Sequence, residues 1–235
     1  MQTKKDIAFI NGSHLDENSW FEVIRILGSE KYNAVALPRL GRDDDGPAHI
    51  SNMAKLSCEK LSGPTIMIVH SFGGAIVNSM IGICPEKISK VIYISALVPL
   101  KGEKPMDLLK GVDQKLFMSA VKIEKSRIVP KSQKKLLMVL DSGINPNSLI
   151  LPNTYSESTT PGGDVLDFDG EKFQKIPKYY IFTEADQIIP LAIQKKYVER
   201  VNILGTRSVN SGHLPMISQP EELAKAIEAL LSADL

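Results

Sequence analysis

Short apolar runs rich in β-branched residues, each bounded by turn formers, recur along the chain at residues 7–10, 34–37, 65–69, 91–94 and 179–182. Runs this short, apolar without alternation, read as strands buried on both faces. Between the first four lie stretches at 20–27, 50–61 and 75–83 whose apolar residues return at helical spacing, each long enough to cross over a sheet. That alternation predicts parallel strands with helices on both faces. A weaker strand at 206–209 and a terminal amphipathic helix at 221–231 complete an open α/β sheet of about six strands. The helix carries Leu223, Ala226, Ile227, Leu230 and Leu231 along one side.

The alternation breaks over 101–169, where no strand-like run is followed by a helix. This predicts a cap inserted into a core made of 1–100 and 170–235. Its charge is lopsided: 101–135 holds ten basic and four acidic residues, whereas 136–171 holds six acidic and no basic ones. The halves can attract one another or steer a charged substrate, but two solvated faces without function account for the same pattern. Pro152, Asn153, Pro161, Gly162 and Gly163 mark loop in the second half.

The chain has 235 residues, 28 basic against 27 acidic, and is 43% hydrophobic. The balance disfavours a nucleic-acid or membrane-surface partner, and the apolar fraction is that of a globular protein rather than a disordered one. Cys58 and Cys84 each sit in an apolar stretch with no second pair at metal or redox spacing, so buried free thiols are expected. The apolar run at 7–10 is too short for a signal peptide, and nothing approaches a membrane span, which together predict a cytoplasmic protein. Asp43, Asp44, Asp45 and Gly46 lack the spacing and distal glutamate of a calcium loop. With no phosphate-binding glycine loop and no histidine pair at metal spacing, no cofactor and no metal are expected.

The chemistry concentrates where the strand at 65–69 runs through His70, Ser71, Phe72, Gly73 and Gly74 into a helix. A serine on so sharp a turn needs small neighbours, and its hydroxyl then stands at the sheet's C-terminal edge beside a helix N-terminus that favours a developing oxyanion. The usual glycine two residues before the serine is replaced by Val69. A serine hydroxyl needs a base within reach and a carboxylate to orient that base. Among four histidines, His70 on a strand points away from Ser71, His49 precedes a helix in a surface or capping position, and His14 can line a pocket. His213 stands in a loop between the last strand and the terminal helix, where Gly212, Pro215 and Pro220 keep the chain from becoming helical. The strand at 179–182 exits through Asp186, the expected orienting acid, with Glu184 the fallback. After the first strand, Asn11, Gly12, Ser13 and His14 form a turn of small residues, so the N–H groups of Ser13 and Phe72 are the expected oxyanion hole.

In these elements the chain resembles the α/β-hydrolase superfamily, and within it the branch of plant methylesterases, hydroxynitrile lyases and related small bacterial esterases. The resemblance rests on Asn11 to His14 through Trp20, the runs 70–74 and 183–190, and the run 212–223; the cap matches poorly. It implies a cofactor-free hydrolase whose cap shapes an apolar pocket. In one lyase lineage of the branch a threonine follows the first position of the oxyanion turn and a lysine follows the catalytic histidine. Here those positions hold Gly12 and Leu214, which favours hydrolysis. Another lyase lineage places an asparagine at the glycine position; this chain has Asn11 one residue earlier. The expectation is a carboxylic ester hydrolase acting on a small, largely apolar ester, with a homodimer left open. A lyase on the same fold and a non-catalytic ligand receptor that keeps the triad are the alternatives.

Overall fold

A computed structural model describes residues 4–42, 48–145, 147 and 151–232. The chain begins with β1 (Lys5–Ile10), α1 (Phe21–Leu27), β2 (Tyr32–Ala36), α2 (Ile50–Lys60), β3 (Thr65–His70), α3 (Gly73–Ile83) and β4 (Ile88–Ile94). Next come α4 (Lys115–Ala120), β5 (Val121–Glu124), β6 (Arg127–Pro130), α5 (Gln133–Leu140) and β7 (Glu157–Ser158). It closes with α6 (Gly170–Lys175), β8 (Lys178–Thr183), α7 (Leu191–Glu199), β9 (Gly205–Val209), α8 (Pro215–Ser218) and α9 (Pro220–Leu231).

Six strands form one parallel sheet in the order β2-β1-β3-β4-β8-β9. Strand alternation sorts the core onto two faces. Ala8, Ile10, Met67, Val69, Val91, Tyr93 and Tyr180 pack with residues of α2, α3, α6 and α7. Ile7, Phe9, Ile66, Ile68, Ile92, Ile94 and Ile181 pack with residues of α1 and α9. All five apolar residues expected on the inner side of α9 are buried. Central β3 is buried at every position, which is why residues 66–69 are continuously apolar; β9 at the edge exposes Thr206, Arg207 and Ser208, which is why its signal is weak.

The chain steps outward from β1 to β2, then crosses back to place β3 on the other side of β1. The crevice where that direction reverses, at the C-terminal ends of β1 and β3, is the usual ligand position in open α/β sheets.

Two expectations, on the stretch 101–169 and on the cysteines, are corrected. The stretch 101–169 is not devoid of regular structure: β5, β6 and β7 form a small antiparallel sheet, and β6 leads into α5. These strands are short, with β5 mostly exposed and β6 half-buried, so no buried apolar run announces them. α7 also carries no clear apolar stripe and was not anticipated; Gln194 and Tyr197 are its buried residues. The thiols are not free: Cys58 and Cys84 form a disulfide, with Cα atoms 6.2 Å apart, because α2 and α3 lie side by side and bring together residues 26 apart in sequence. Disulfides persist chiefly in oxidising compartments, so the bond weighs against the cytoplasmic expectation. The opposite charges of 101–135 and 136–171 do little for each other: among the described residues, the pair that joins them, Lys101 with Asp167, is exposed on both sides. The acidic run 43–45, with Gly46, lies outside the described residues. No helix among the described residues is long and apolar enough to cross a membrane.

Candidate active site

Ser71 occupies the two-residue turn between β3 and α3 with φ 52°, a left-handed backbone that few non-glycine residues adopt. The turn stays tight because the helix behind it lies against backbone. A Cβ on Gly74 would sit 2.0 Å from the Leu97 carbonyl oxygen, and one on Gly73 3.0 Å from that of Ile10. Gly12 is equally constrained: its Cβ would fall 2.7 Å from both the Ser71 Cβ and His70 Nδ1, so the turn after β1 presses directly on the serine. Val69, in the position where glycine was expected, is fully buried in the core beneath α3.

Three strand-end loops bring the remaining groups to this point. His213 Nε2 lies 2.9 Å from Ser71 Oγ, and its Nδ1 lies 2.7 Å from Asp186 Oδ2. A carboxylate only accepts, so Nδ1 carries the ring proton and Nε2 is the acceptor facing the serine hydroxyl. Asp186 is held from every side. Oδ1 accepts from the Ile188 and Ile189 N–H groups at 2.8 and 2.9 Å, and Oδ2 accepts from Thr183 Oγ1 at 2.9 Å and from Ser95 Oγ. Burial alone would push this carboxyl up, but His213 beside it, with the hydrogen bonds from His213, Ser95 and Ile189, holds it below its ordinary value. Gln194 braces the loop by donating to the Thr183 and Ile189 carbonyls at 3.1 and 2.7 Å. Glu184, the fallback acid, is exposed.

His70 reaches under the site. Its Nε2 donates to the His213 carbonyl at 2.7 Å, which fixes the histidine loop, and burial together with neighbouring His213 pushes its pKa down to about 3. It is therefore neutral, and through that bond it positions the His213 loop. His49 pairs with Asp164 at the surface, where the same carboxylate accepts the Ile50 N–H at the start of α2.

The turn after β1 is clamped from beneath by buried charge. Arg42 donates to the Asn11 and Gly12 carbonyls, both at 2.8 Å. Glu157 accepts from the His14 N–H at 2.7 Å and from Arg39 at 2.9 Å, with Arg42 3.4 Å away. Burial would raise the Glu157 pKa, but Arg42 and Arg39 hold it below its ordinary value. Among the described residues, the N–H groups of Ser13 and Phe72 take no part in the backbone hydrogen bonds, and both residues line the cavity above Ser71. That cavity has a volume of about 120 Å³ and is walled by Leu97, Ile188 and Ile189 from the core and by Met106, Leu109, Phe117, Ile128 and Leu140 from the segment between β4 and β8.

The structure thus brings Ser71, His213 and Asp186 into one hydrogen-bonded row with Ser13 and Phe72 beside it. Ser95, Thr183, Gln194, Arg39, Arg42 and Glu157 were not anticipated. Hydroxyl and amide residues carry no local pattern, and Glu157 is separated from Arg39 by 118 residues.

The whole chain has known relatives. It is 24% identical over 251 residues to the pyrethroid hydrolase of Sphingobium wenxiniae, covering 96% of this chain and 87% of that protein. It is 23% identical over 253 residues to polyneuridine aldehyde esterase of Rauvolfia serpentina, covering 95% and 94%. Its fold matches the crystal structure of a pyrethroid hydrolase from Sphingobium faniae with a TM-score of 0.83 at 22% identity, over 98% of both chains. The sequence model of the alpha/beta hydrolase family matches residues 7–226, so the chain belongs to that family.

Proposed function

We propose that this protein is a serine-dependent carboxylic ester hydrolase acting on small, largely apolar esters. The observation that carries the reading is the continuous row from Ser71 Oγ through both nitrogens of His213 to Asp186, ending in an apolar cavity. Ser71 attacks the ester carbonyl as His213 Nε2 takes its proton. Asp186 holds the imidazole in the tautomer that leaves Nε2 bare and stabilises the imidazolium once formed. The Ser13 and Phe72 N–H groups receive the carbonyl oxygen as it becomes an oxyanion, each donor contributing about 3 kcal/mol in the transition state. His213 returns the proton to the departing alcohol, and a water, activated the same way, releases the acyl group from Ser71.

The segment 101–169 acts as a cap: its apolar residues close the cavity opposite the sheet and keep water from the acyl-enzyme. Leu214, where a lysine would serve cyanohydrin cleavage, is fully buried and supplies no cation, which supports hydrolysis over lyase chemistry. Kinship with ester hydrolases supports the same reaction class.

The test is turnover of a panel of methyl and p-nitrophenyl esters together with labelling by a serine-directed phosphonate. Hydrolysis should be lost by about four to six orders of magnitude in Ser71→Ala with the melting temperature retained, and mass spectrometry should find the phosphonate on Ser71. Wild-type-like hydrolysis by Ser71→Ala refutes the mechanism.

A further inference from the structure

Three residues that line the cavity over Ser71 carry a buried side-chain nitrogen without a hydrogen-bond partner that ester hydrolysis itself does not use; that of His70, Nδ1, lies against the turn after β1, where a Cβ on Gly12 would fall 2.7 Å from it. His14 Nε2 and Gln114 Nε2 are both buried without a hydrogen-bond partner, and both residues line the cavity with Ser71 and His213. Buried polar atoms are nearly always paired, so the two that remain, on residues lining one cavity, point to a ligand that pairs them.

The orientation of His14 is tightly fixed. It is 1% exposed and holds φ at 68°. Its N–H donates to Glu157 at 2.7 Å, its carbonyl accepts from the Tyr155 N–H at 2.9 Å, and its Nδ1 lies 2.8 Å from the Tyr155 carbonyl oxygen. A carbonyl only accepts, so Nδ1 carries the proton and Nε2 is a bare lone pair. Burial keeps the ring below its ordinary pKa and therefore neutral. Gln114 stands at the N-cap of α4, yet its side chain makes no capping bond; its amide nitrogen is a buried donor without a partner, on a residue that lines the cavity.

An acceptor and a donor on one small, otherwise apolar cavity are satisfied together by a hydroxyl, which gives its proton to one and accepts from the other. A ketone or ether would meet only Gln114. A carboxylate would face the His14 lone pair, and no charged residue lines the cavity to balance it. His14 directly follows Ser13, whose N–H is placed to hold the ester carbonyl, so the hydroxyl falls near that carbonyl. A cavity volume of about 120 Å³ suits a short acyl chain.

We infer that this site is built for esters of short 2- or 3-hydroxy acids, with the acyl hydroxyl donating to His14 Nε2 and accepting from Gln114 Nε2. The inference rests on the hydrolase reading of Ser71.

The experiment compares kcat/KM for matched pairs: ethyl 3-hydroxybutanoate against ethyl butanoate, ethyl lactate against ethyl propanoate, and 2-hydroxyethyl butanoate as the arm with the hydroxyl in the alcohol. At least one hydroxyacyl ester should exceed its partner by about tenfold or more, because the analogue leaves both atoms unpaired. In Gln114→Met, whose side chain fills the same length without a donor, that ratio should fall several-fold while the melting temperature holds. His14→Asn, which tolerates the left-handed backbone, should also lower the ratio. Ratios at or below one in an active wild type, or a ratio untouched by Gln114→Met, overturn the subsite. Preference for 2-hydroxyethyl butanoate alone overturns the acyl assignment. If no ester is turned over and Ser71 resists the phosphonate, the hydrolase reading itself has failed, an outcome distinct from the others.

Discussion

Replacing Glu157 by glutamine tests whether a carboxylate on the inserted segment sets the geometry of a turn in the core. Its side chain is 9% exposed, and those of Arg39 and Arg42 are 5% and 4% exposed, so the change removes a charge shared by two buried guanidiniums. Breaking a buried pair by neutralising one partner typically costs about 3–5 kcal/mol. The lower end, about 3 kcal/mol, is expected here because Arg42 keeps its bonds to the Asn11 and Gly12 carbonyls and the amide oxygen of glutamine can still accept the His14 N–H. In a chain of this size that corresponds to a melting temperature lower by roughly 6–12 °C. Because Glu157 holds the residue that follows Ser13, kcat should also fall, by roughly tenfold to a hundredfold, with KM changing less. The pH dependence supplies a further check. The folded carboxyl lies below its ordinary value, so its contribution is complete above about pH 4.3 and is lost as pH falls through the folded value. The stability gap between wild type and Glu157→Gln should therefore narrow in acid. Urea unfolding at pH 7 and pH 4, with steady-state kinetics at pH 7, measures all three. A gap under about 1 kcal/mol at pH 7, together with unchanged kcat, would refute the clamp.

Asp186→Asn should preserve the fold and lower kcat by about 10⁴-fold, because an amide no longer enforces the tautomer that leaves Nε2 bare; a loss under tenfold on the same esters would contradict the orienting role. His70 is buried neutral with a pKa of about 3, so between that value and the ordinary histidine value the unfolded chain binds the extra proton and stability rises with pH. Lowering pH from 7 to 5 should cost about 2 kcal/mol from this group, and His70→Gln should remove that part of the slope in urea titrations. Reducing the Cys58–Cys84 disulfide, which closes a loop of sequence separation 26, should destabilise the protein by about 3 kcal/mol; identical urea midpoints with and without dithiothreitol would count against a bonded pair.

How much was readable in advance follows from burial. β3 is buried throughout and β4 from Lys90 onward, so the apolar runs 66–69 and 91–94 are unbroken, and the residues just beyond such runs can be placed at the sheet edge without knowing contacts. That is why Ser71, Asp186 and His213 could be named in chain order, each at a strand end or in a loop. The inserted segment gave no such signal, because the residues of β5 beyond Val121 face solvent and β6 is only half-buried throughout. Ser95 and Thr183 became visible only when the Asp186 carboxylate was seen to accept from both. The cysteine pairing was missed for a related reason: contact between α2 and α3 is a tertiary fact, and neither thiol has a distinctive neighbour in sequence.

His14, Ser71 and Ser95 are non-glycine residues at φ 68°, 52° and 43°, all in or beside the site formed by Ser71, His213 and Asp186. Each such conformation costs about 1–3 kcal/mol, a sizeable share of the roughly 5–15 kcal/mol that holds a typical domain together. Selection for heat tolerance alone would therefore draw glycine into these three positions and return robust but inactive proteins. A directed-evolution campaign on this scaffold should score turnover in every round and protect those codons from the mutagenic library.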